Sequence, residues 1–159
     1  MSFTVKYKNF SKTDNYNTPK TAWIDILQFF NKDTKLWLPF YNDGTAEYIL
    51  KSMEYTEIYH KDKDFFEYEK PGYIVCDNPP WSIKAKIIEK LYGTKFCLLF
   101  PLDTLERQYL TKYKDDLQVV IPKKRYSFIE GKESIGWKSA WFCWKLQDEL
   151  GTTDQLIFL

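Results

Sequence analysis

YIVCDNPPW, residues 73–81, is the stretch on which the reading of this chain turns. Tyr73, Ile74, Val75 and Cys76 are apolar enough to line a short buried strand. Pro79 and Pro80 have no N–H to give a sheet ladder, so the strand must end by Asn78. Both prolines hold φ near about −65°, and Pro80 keeps Pro79 out of the α region. The result is a stiff turn that exposes carbonyl oxygens. Asn78 puts a short amide at its mouth, and Trp81 adds a flat face. Acceptors beside a rigid aromatic make a shelf for a planar group that carries an NH2. The plainer alternative is a proline-terminated strand followed by a core tryptophan.

Downstream, Ser82–Tyr92 reads as a helix with Ile83, Ile87, Ile88 and Leu91 on one side. Lys95–Pro101, KFCLLFP, is almost wholly apolar, as a strand covered on both faces must be. Leu102–Tyr113 reads as a helix and Leu117–Pro122 as a strand. KKRYSFIEGKESIGWKS then turns polar, with two glycines, and predicts a hairpin or loop. Ala140–Leu146 is a further strand. The apolar tail Leu156–Leu159 either completes the sheet as a short strand or forms an interface.

Upstream, residues 1–17 suggest an arm lying on the domain. Thr18 is placed to cap a helix over Pro19–Phe30, with Pro19 in its first position. Lys35–Phe40, KLWLPF, reads as a strand. It is followed by the turn Tyr41-Asn42-Asp43-Gly44 and a helix over Thr45–Met53. A strand, a glycine turn and a helix are where a doubly wound sheet holds a cofactor. Tyr55–His60 predicts a second strand, with His60 either on the surface or orienting a ligand. Asp62 and Asp64 follow it, where acidic groups take ribose hydroxyls, and Phe65 could flank an adenine ring. The alternative there is exposed charges with core phenylalanines. No G-x-G-x-x-G or G-x-x-x-x-G-K-[ST] occurs, so neither fingerprint supports a nicotinamide or nucleoside triphosphate site.

The alternation of strands and helices predicts an α/β fold with a β-rich end. The 159 residues suit one domain with a real core, and two large domains would not fit. A net charge of +1 leaves no strong overall footprint for nucleic acid. The densest basic run is Lys123-Lys124-Arg125. Cys76, Cys97 and Cys143 each sit in an apolar run without metal-ligand spacing, and read as buried thiols in a reducing compartment. No window reaches a membrane span, and MSFTVKYKNF does not read as a signal peptide.

With these segments in order, the chain resembles amino-group methyltransferases that use S-adenosylmethionine, most closely the phage and viral DNA N6-adenine methyltransferases. Asn78-Pro79-Pro80-Trp81 looks like their catalytic tetrapeptide. Thr18-Pro19 before the first strand, Pro39-Phe40 with Asp43-Gly44, Asp64-Phe65-Phe66, Leu98–Pro101, Arg125–Phe128 and Trp141–Trp144 match the pattern in sequence. The resemblance covers Tyr16 to Leu146. Tyr41 and Asn42 stand where the family's turn usually carries small residues.

The resemblance implies a Rossmann-like class I methyltransferase domain over residues 1–159, with seven mostly parallel strands, the last antiparallel. The span between Pro101 and the aromatic strand has no room for a separate target-recognition domain. It implies methyl transfer from S-adenosyl-L-methionine to the N6 amine of adenine in DNA. Asn78, Pro79, Pro80 and Trp81 would be catalytic. Thr18, Phe40, Asp43, Gly44, Asp62, Asp64 and Phe65 would hold the cofactor, and Lys123, Lys124 and Arg125 the phosphates. Similar turns also serve enzymes acting on RNA adenine, cytosine N4 or protein glutamine, and a diverged, non-catalytic subunit would keep the same fold. Target recognition would then come from a homodimer or a partner subunit. The setting implied is a bacterial cytoplasm or a phage- or virus-infected host cell.

Overall fold

Why the sheet is mixed follows from how the chain enters and leaves its longest strands. The computed structural model describes residues 17–128 and 138–159. β4 (Phe96–Pro101) and β6 (Ser139–Trp144) are buried almost throughout and pair antiparallel from Phe96↔Trp144 to Pro101↔Ser139. Their near-continuous apolar sequences are what burial on two faces requires. On one side lie β3 (Ile74–Asp77), β1 (Leu36–Trp37) and β2 (Ile58–Tyr59), all parallel to β4. On the other lie β5 (Leu117–Ile121), antiparallel to β6, and β7 (Leu156–Phe158), parallel to β5. The full order is β2-β1-β3-β4-β6-β5-β7.

Helices cover both faces. One core joins α1 (Lys20–Leu27), through Ala22, Trp23, Ile26 and Leu27, to Leu50 of α2 (Thr45–Ser52) and to Cys76, Cys97, Trp141 and Cys143 of the sheet. The other joins Ile87 and Ile88 of α3 (Lys84–Lys90) to Leu110, Tyr113, Val75, Leu98 and Phe142. The alternation of Trp141 and Cys143 with Phe142 between the cores is the period of two of a strand. The three thiols are buried and unbridged, aligned across neighbouring strands as Cys76↔Cys97↔Cys143.

Several expectations need correction. The reversed strand is β6, not the chain's last. β6 returns between β4 and β5, and β7 then adds in parallel outside β5. A short helix, α4 (Gln147–Leu150), ends at Gly151 with φ 71°, a left-handed turn that glycine adopts at no steric cost. Gln118 Nε2 ties the connection down by donating to the carbonyls of Thr152 and Asp154. Leu102–Tyr113 is not one helix but two 3₁₀ segments, Leu102–Glu106 and Gln108–Tyr113, broken at Arg107 with ψ 134°. Leu110 and Tyr113, the buried pair of the second, stand three apart, the 3₁₀ repeat. Thr18 does not cap α1. Pro19 occupies the N-cap position with extended backbone and no side-chain cap bond. His60 is not on the surface but 1% exposed. The expected arm lies outside the described residues except for Asn17, and so does the 129–137 part of the expected hairpin. Among the described residues, no helix is long and apolar enough to cross a membrane.

The topology points to one place. From β1 the chain passes through α2 to β2 on one side, then returns through β3 on the other side of β1. The carboxyl ends of β1 and β3 therefore flank a topological switch point, where open α/β sheets bind ligands.

Candidate functional site

Asp77 closes the gap between the two strand ends. Its Oδ2 accepts the Phe40 N–H at 2.8 Å, and its Oδ1 accepts the Asn78 N–H at 2.8 Å. A carboxylate at 3% exposure is costly unless hydrogen-bonded. Burial pushes the Asp77 carboxyl well above its ordinary value, against the pull of these two bonds. One side chain thus fixes where the turn after β1 stands relative to the turn after β3. Sequence reading gave Asp77 no role of its own. An acid closing a wholly buried strand was the available signal, because such a group must find partners.

Asn78 begins the proline turn. Its Oδ1 accepts the Trp81 indole N–H at 3.0 Å, and the same N–H also reaches the Leu99 carbonyl of β4 at 2.9 Å. The amide oxygen has two lone pairs, so this bond orients Asn78 and leaves the oxygen capacity for another donor. Pro79 and Pro80 are buried and Asn78 is half-buried. Trp81 opens a 3₁₀ turn, Trp81–Ile83, leading into α3. It is half-buried and packs on both cores. Phe128 meets it edge-on, with ring centroids 5.7 Å apart at 82°. Trp81 is therefore an anchored wall and not an open shelf.

The turn after β1 faces this group across the Asp77 clamp. Asn42 has φ 51° and Gly44 φ 81°, so two residues turn left-handed. Asp43 Oδ1 accepts the Thr45 N–H at 3.0 Å at the start of α2, and Oδ2 accepts from Asn17 Nδ2 at 2.9 Å. Asn17 Oδ1 in turn accepts from Asn42 Nδ2 at 2.9 Å. This brings Thr18, half-exposed and next in sequence to Asn17, to the same turn. Burial raises the Asp43 carboxyl, but the bonds from Thr45 and Asn17 outweigh it and hold the group below its ordinary value. The carboxylate stays anionic at neutral pH. The Tyr41 ring lies over Gly44, so a Cβ there would stand 2.7 Å from the Tyr41 hydroxyl oxygen. Tyr41 also stacks near His60, at 4.9 Å between centroids. His60 Nδ1 meets the Leu38 carbonyl at 2.8 Å, and burial lowers its pKa. Asn17 joins the site unread from sequence, since it lies in no motif, whereas His60, read as either a surface group or a ligand-orienting one, is buried beside Tyr41.

The acidic and aromatic loop after β2 departs more from expectation. Asp62 and Asp64 are half-buried, and Asp64 Oδ1 accepts the Phe66 N–H at 3.0 Å, closing its own loop. Phe65 is fully buried. It packs on Phe40 at 5.0 Å and on Trp37 at 5.9 Å, with the Lys90 ammonium 4.4 Å from its ring centre. It presents no open face to an adenine ring. Of the two adjacent phenylalanines, burial took Phe65 inward and left Phe66 half-exposed.

Lys123, Lys124 and Arg125 are exposed just past the carboxyl end of β5. That end lies on the same edge of the sheet as Asn78, because β3, β4 and β5 run the same way. Tyr126 anchors the segment by donating to Asp25 Oδ2 at 2.6 Å, and Phe128 packs against Trp81. The basic run is thus tied, three residues later, to the tetrapeptide. A cleft of about 720 Å³ lies elsewhere, at the amino-terminal ends of β3 and β4. Phe65 lines it, but Asp43, Gly44, Asp77 and Asn78 do not.

Two turns, one carboxylate clamp, an oriented amide oxygen and a basic segment thus meet at the carboxyl edge of the sheet. Such an arrangement can hold a zwitterionic ligand at the first turn and present an acceptor to an N–H at the second. Comparison with models of known protein families and with curated proteins gives no match.

Proposed function

We propose that this chain is an S-adenosylmethionine-dependent methyltransferase acting on the N6 amine of adenine in DNA. The observation that carries the reading is Asp77. It bonds the end of β1 to the start of Asn78-Pro79-Pro80-Trp81, so the candidate cofactor turn and the candidate acceptor turn sit side by side at a switch point.

The residues at the first turn fit the methionine end of the cofactor. Asp43 offers a carboxylate to an ammonium, and the N-terminal amides of α2 suit a carboxylate. Phe40 and Gly44 complete that wall, with Thr18 at its edge. Asp62 stands nearest in sequence to the expected ribose contact. Phe65 drops out as an adenine platform because it is fully buried. When bound, the cofactor supplies an electrophilic sulfonium methyl.

The chain's own part is orientation. Asn78 Oδ1, already turned by Trp81, accepts one N–H of the exocyclic amine, and the Pro79 carbonyl accepts the other. Held so, the nitrogen lone pair is favoured out of the ring plane and toward the methyl. With the amine so held, the methyl that a bound cofactor supplies would pass to its nitrogen, and the surplus N–H proton would leave to water. Positioning supplies most of the rate, and the acceptors match the positive charge that develops on nitrogen. A duplex base must be flipped out at a cost of a few kcal/mol. Lys123, Lys124 and Arg125 take phosphates.

The test is transfer of labelled methyl from S-adenosylmethionine to adenine-containing oligonucleotides, followed by digestion to identify the product. Wild type transfers to adenine N6. Asn78→Ala loses about 10²–10³-fold in rate, the loss typical of removing one catalytic hydrogen-bonding group, and still binds cofactor. Tight cofactor binding without transfer to any adenine oligonucleotide would refute the assignment. Transfer to RNA adenine, cytosine N4 or glutamine would retain the chemistry and change the substrate. A second reading, a diverged subunit without activity, is supported by the Tyr41 ring lying over Gly44. Absence of cofactor binding by the folded chain would favour it.

A further inference from the structure

We propose that the cleft at the amino-terminal ends of β3 and β4 is a second ligand site, and that it takes a mononucleotide. Its volume of about 720 Å³ falls within the roughly 300–1,000 Å³ of small-molecule sites. Its floor is apolar, formed by Trp37, Ile74 and Leu91, with Tyr73 and Tyr92 at the rim. That surface suits the planar body of a base.

The polar groups point to an anion that also carries a donor. Lys70, Lys90 and Lys95 line the cleft, against Glu69 and Glu149. The Lys90 ammonium donates to the carbonyls of Phe65 and Tyr68. An ammonium has three N–H bonds, so one remains for a ligand oxygen. Burial holds the Lys90 pKa below its ordinary value despite Glu69 and Asp64, a penalty that a bound anion relieves. Lys70 is held over the Tyr59 and Tyr73 rings at 4.2 and 4.9 Å, beside the same wall. Glu149 uses Oε1 for Lys95 at 3.2 Å, while its Oε2 is buried without a partner. Oε2 is enclosed by protein, so Oε1, which keeps a lone pair beyond the Lys95 bond, is the acceptor for a ligand N–H or O–H. Phosphate for the lysines, a base for the floor and a donor for Glu149 are combined in a nucleoside phosphate.

The experiment is calorimetric titration of the full chain with AMP, adenosine and inorganic phosphate. AMP should bind saturably, with adenosine and phosphate each at least about tenfold weaker, as loss of one bond to a charged group requires. Lys70→Ala and Glu149→Gln, each shown to be folded by its thermal melt, should each weaken AMP by about tenfold. Asn78→Ala should leave it unchanged, and saturating S-adenosylmethionine should not compete. This separates failure here from failure of the methyltransferase reading. Absent saturation, displacement by S-adenosylmethionine, or indifference to both substitutions would overturn the site. Equal binding of adenosine or of phosphate alone, or much tighter binding of a 5′-phosphorylated oligonucleotide, would overturn the mononucleotide as its ligand.

Discussion

Replacing Asp77 by Asn isolates the clamp on which the site is built. Two N–H donors, from Phe40 and Asn78, meet the two carboxylate oxygens at 2.8 Å each. An amide has one oxygen, so Asp77→Asn turns an NH2 toward one donor. The buried N–H left unpaired costs about 1–3 kcal/mol. The substitution also removes a buried ionisable group whose folded-state pKa is raised by burial. The sign of the pH effect follows from this. Between the unfolded pKa, about 3.9, and the raised folded value, the unfolded state has released its proton and the folded state has kept it. Wild-type stability therefore falls as pH rises through that interval, by up to about 1.4 kcal/mol per pH unit from this group. Asp77→Asn lacks that contribution. Urea unfolding of both proteins from pH 4 upward should show the wild-type advantage greatest at the acid end and shrinking as pH rises. Cofactor binding and methyl transfer should weaken together, because both turns lose their common tie. Parallel stability curves, or a variant with full activity, would refute the reasoning.

Other substitutions probe the remaining parts. Gly44→Ala puts a Cβ 2.7 Å from the Tyr41 hydroxyl oxygen at φ 81°. It should cost about 1–2 kcal/mol from the left-handed backbone alone, read by thermal melting, and should weaken cofactor binding by calorimetry. Trp81→Phe removes the donor shared by Asn78 and Leu99. It should lower transfer more than cofactor affinity, measured as kcat against cofactor Kd. Joint replacement of Lys123, Lys124 and Arg125 by Ala should weaken DNA binding uniformly across sequences. It should also reduce the slope of log affinity against log salt by about 0.9 for each phosphate no longer neutralised, with transfer at saturating substrate retained.

Local rules account for much of what was legible. The apolar runs at Lys95–Pro101 and Ala140–Leu146 predicted buried strands, and β4 and β6 occupy them. The prolines after Asn78 end β3 where a ladder without N–H must end. Gly44 marks a turn that is left-handed at its glycine. Side-chain destinations were harder. Phe65 and Phe66 are identical in sequence, and only packing against Trp37 and Phe40 decides which one is buried. The aromatic content could not say whether Trp81 lay in the core or on a shelf, because its position depends on the Leu99 carbonyl, 18 residues away.

Sequence alone located the buried strands β3, β4 and β6 and the turns after β1 and β3, since proline, glycine and apolar runs act through the backbone within a few residues, but it missed the break at Arg107. Tertiary structure decided which turns become neighbours. Strand order brings β1 beside β3, and only then can one carboxylate, Asp77, bond across 37 residues to Phe40. It also decided that β6 runs against its neighbours, because pairing partners are chosen by competition among strands that each look alike in isolation.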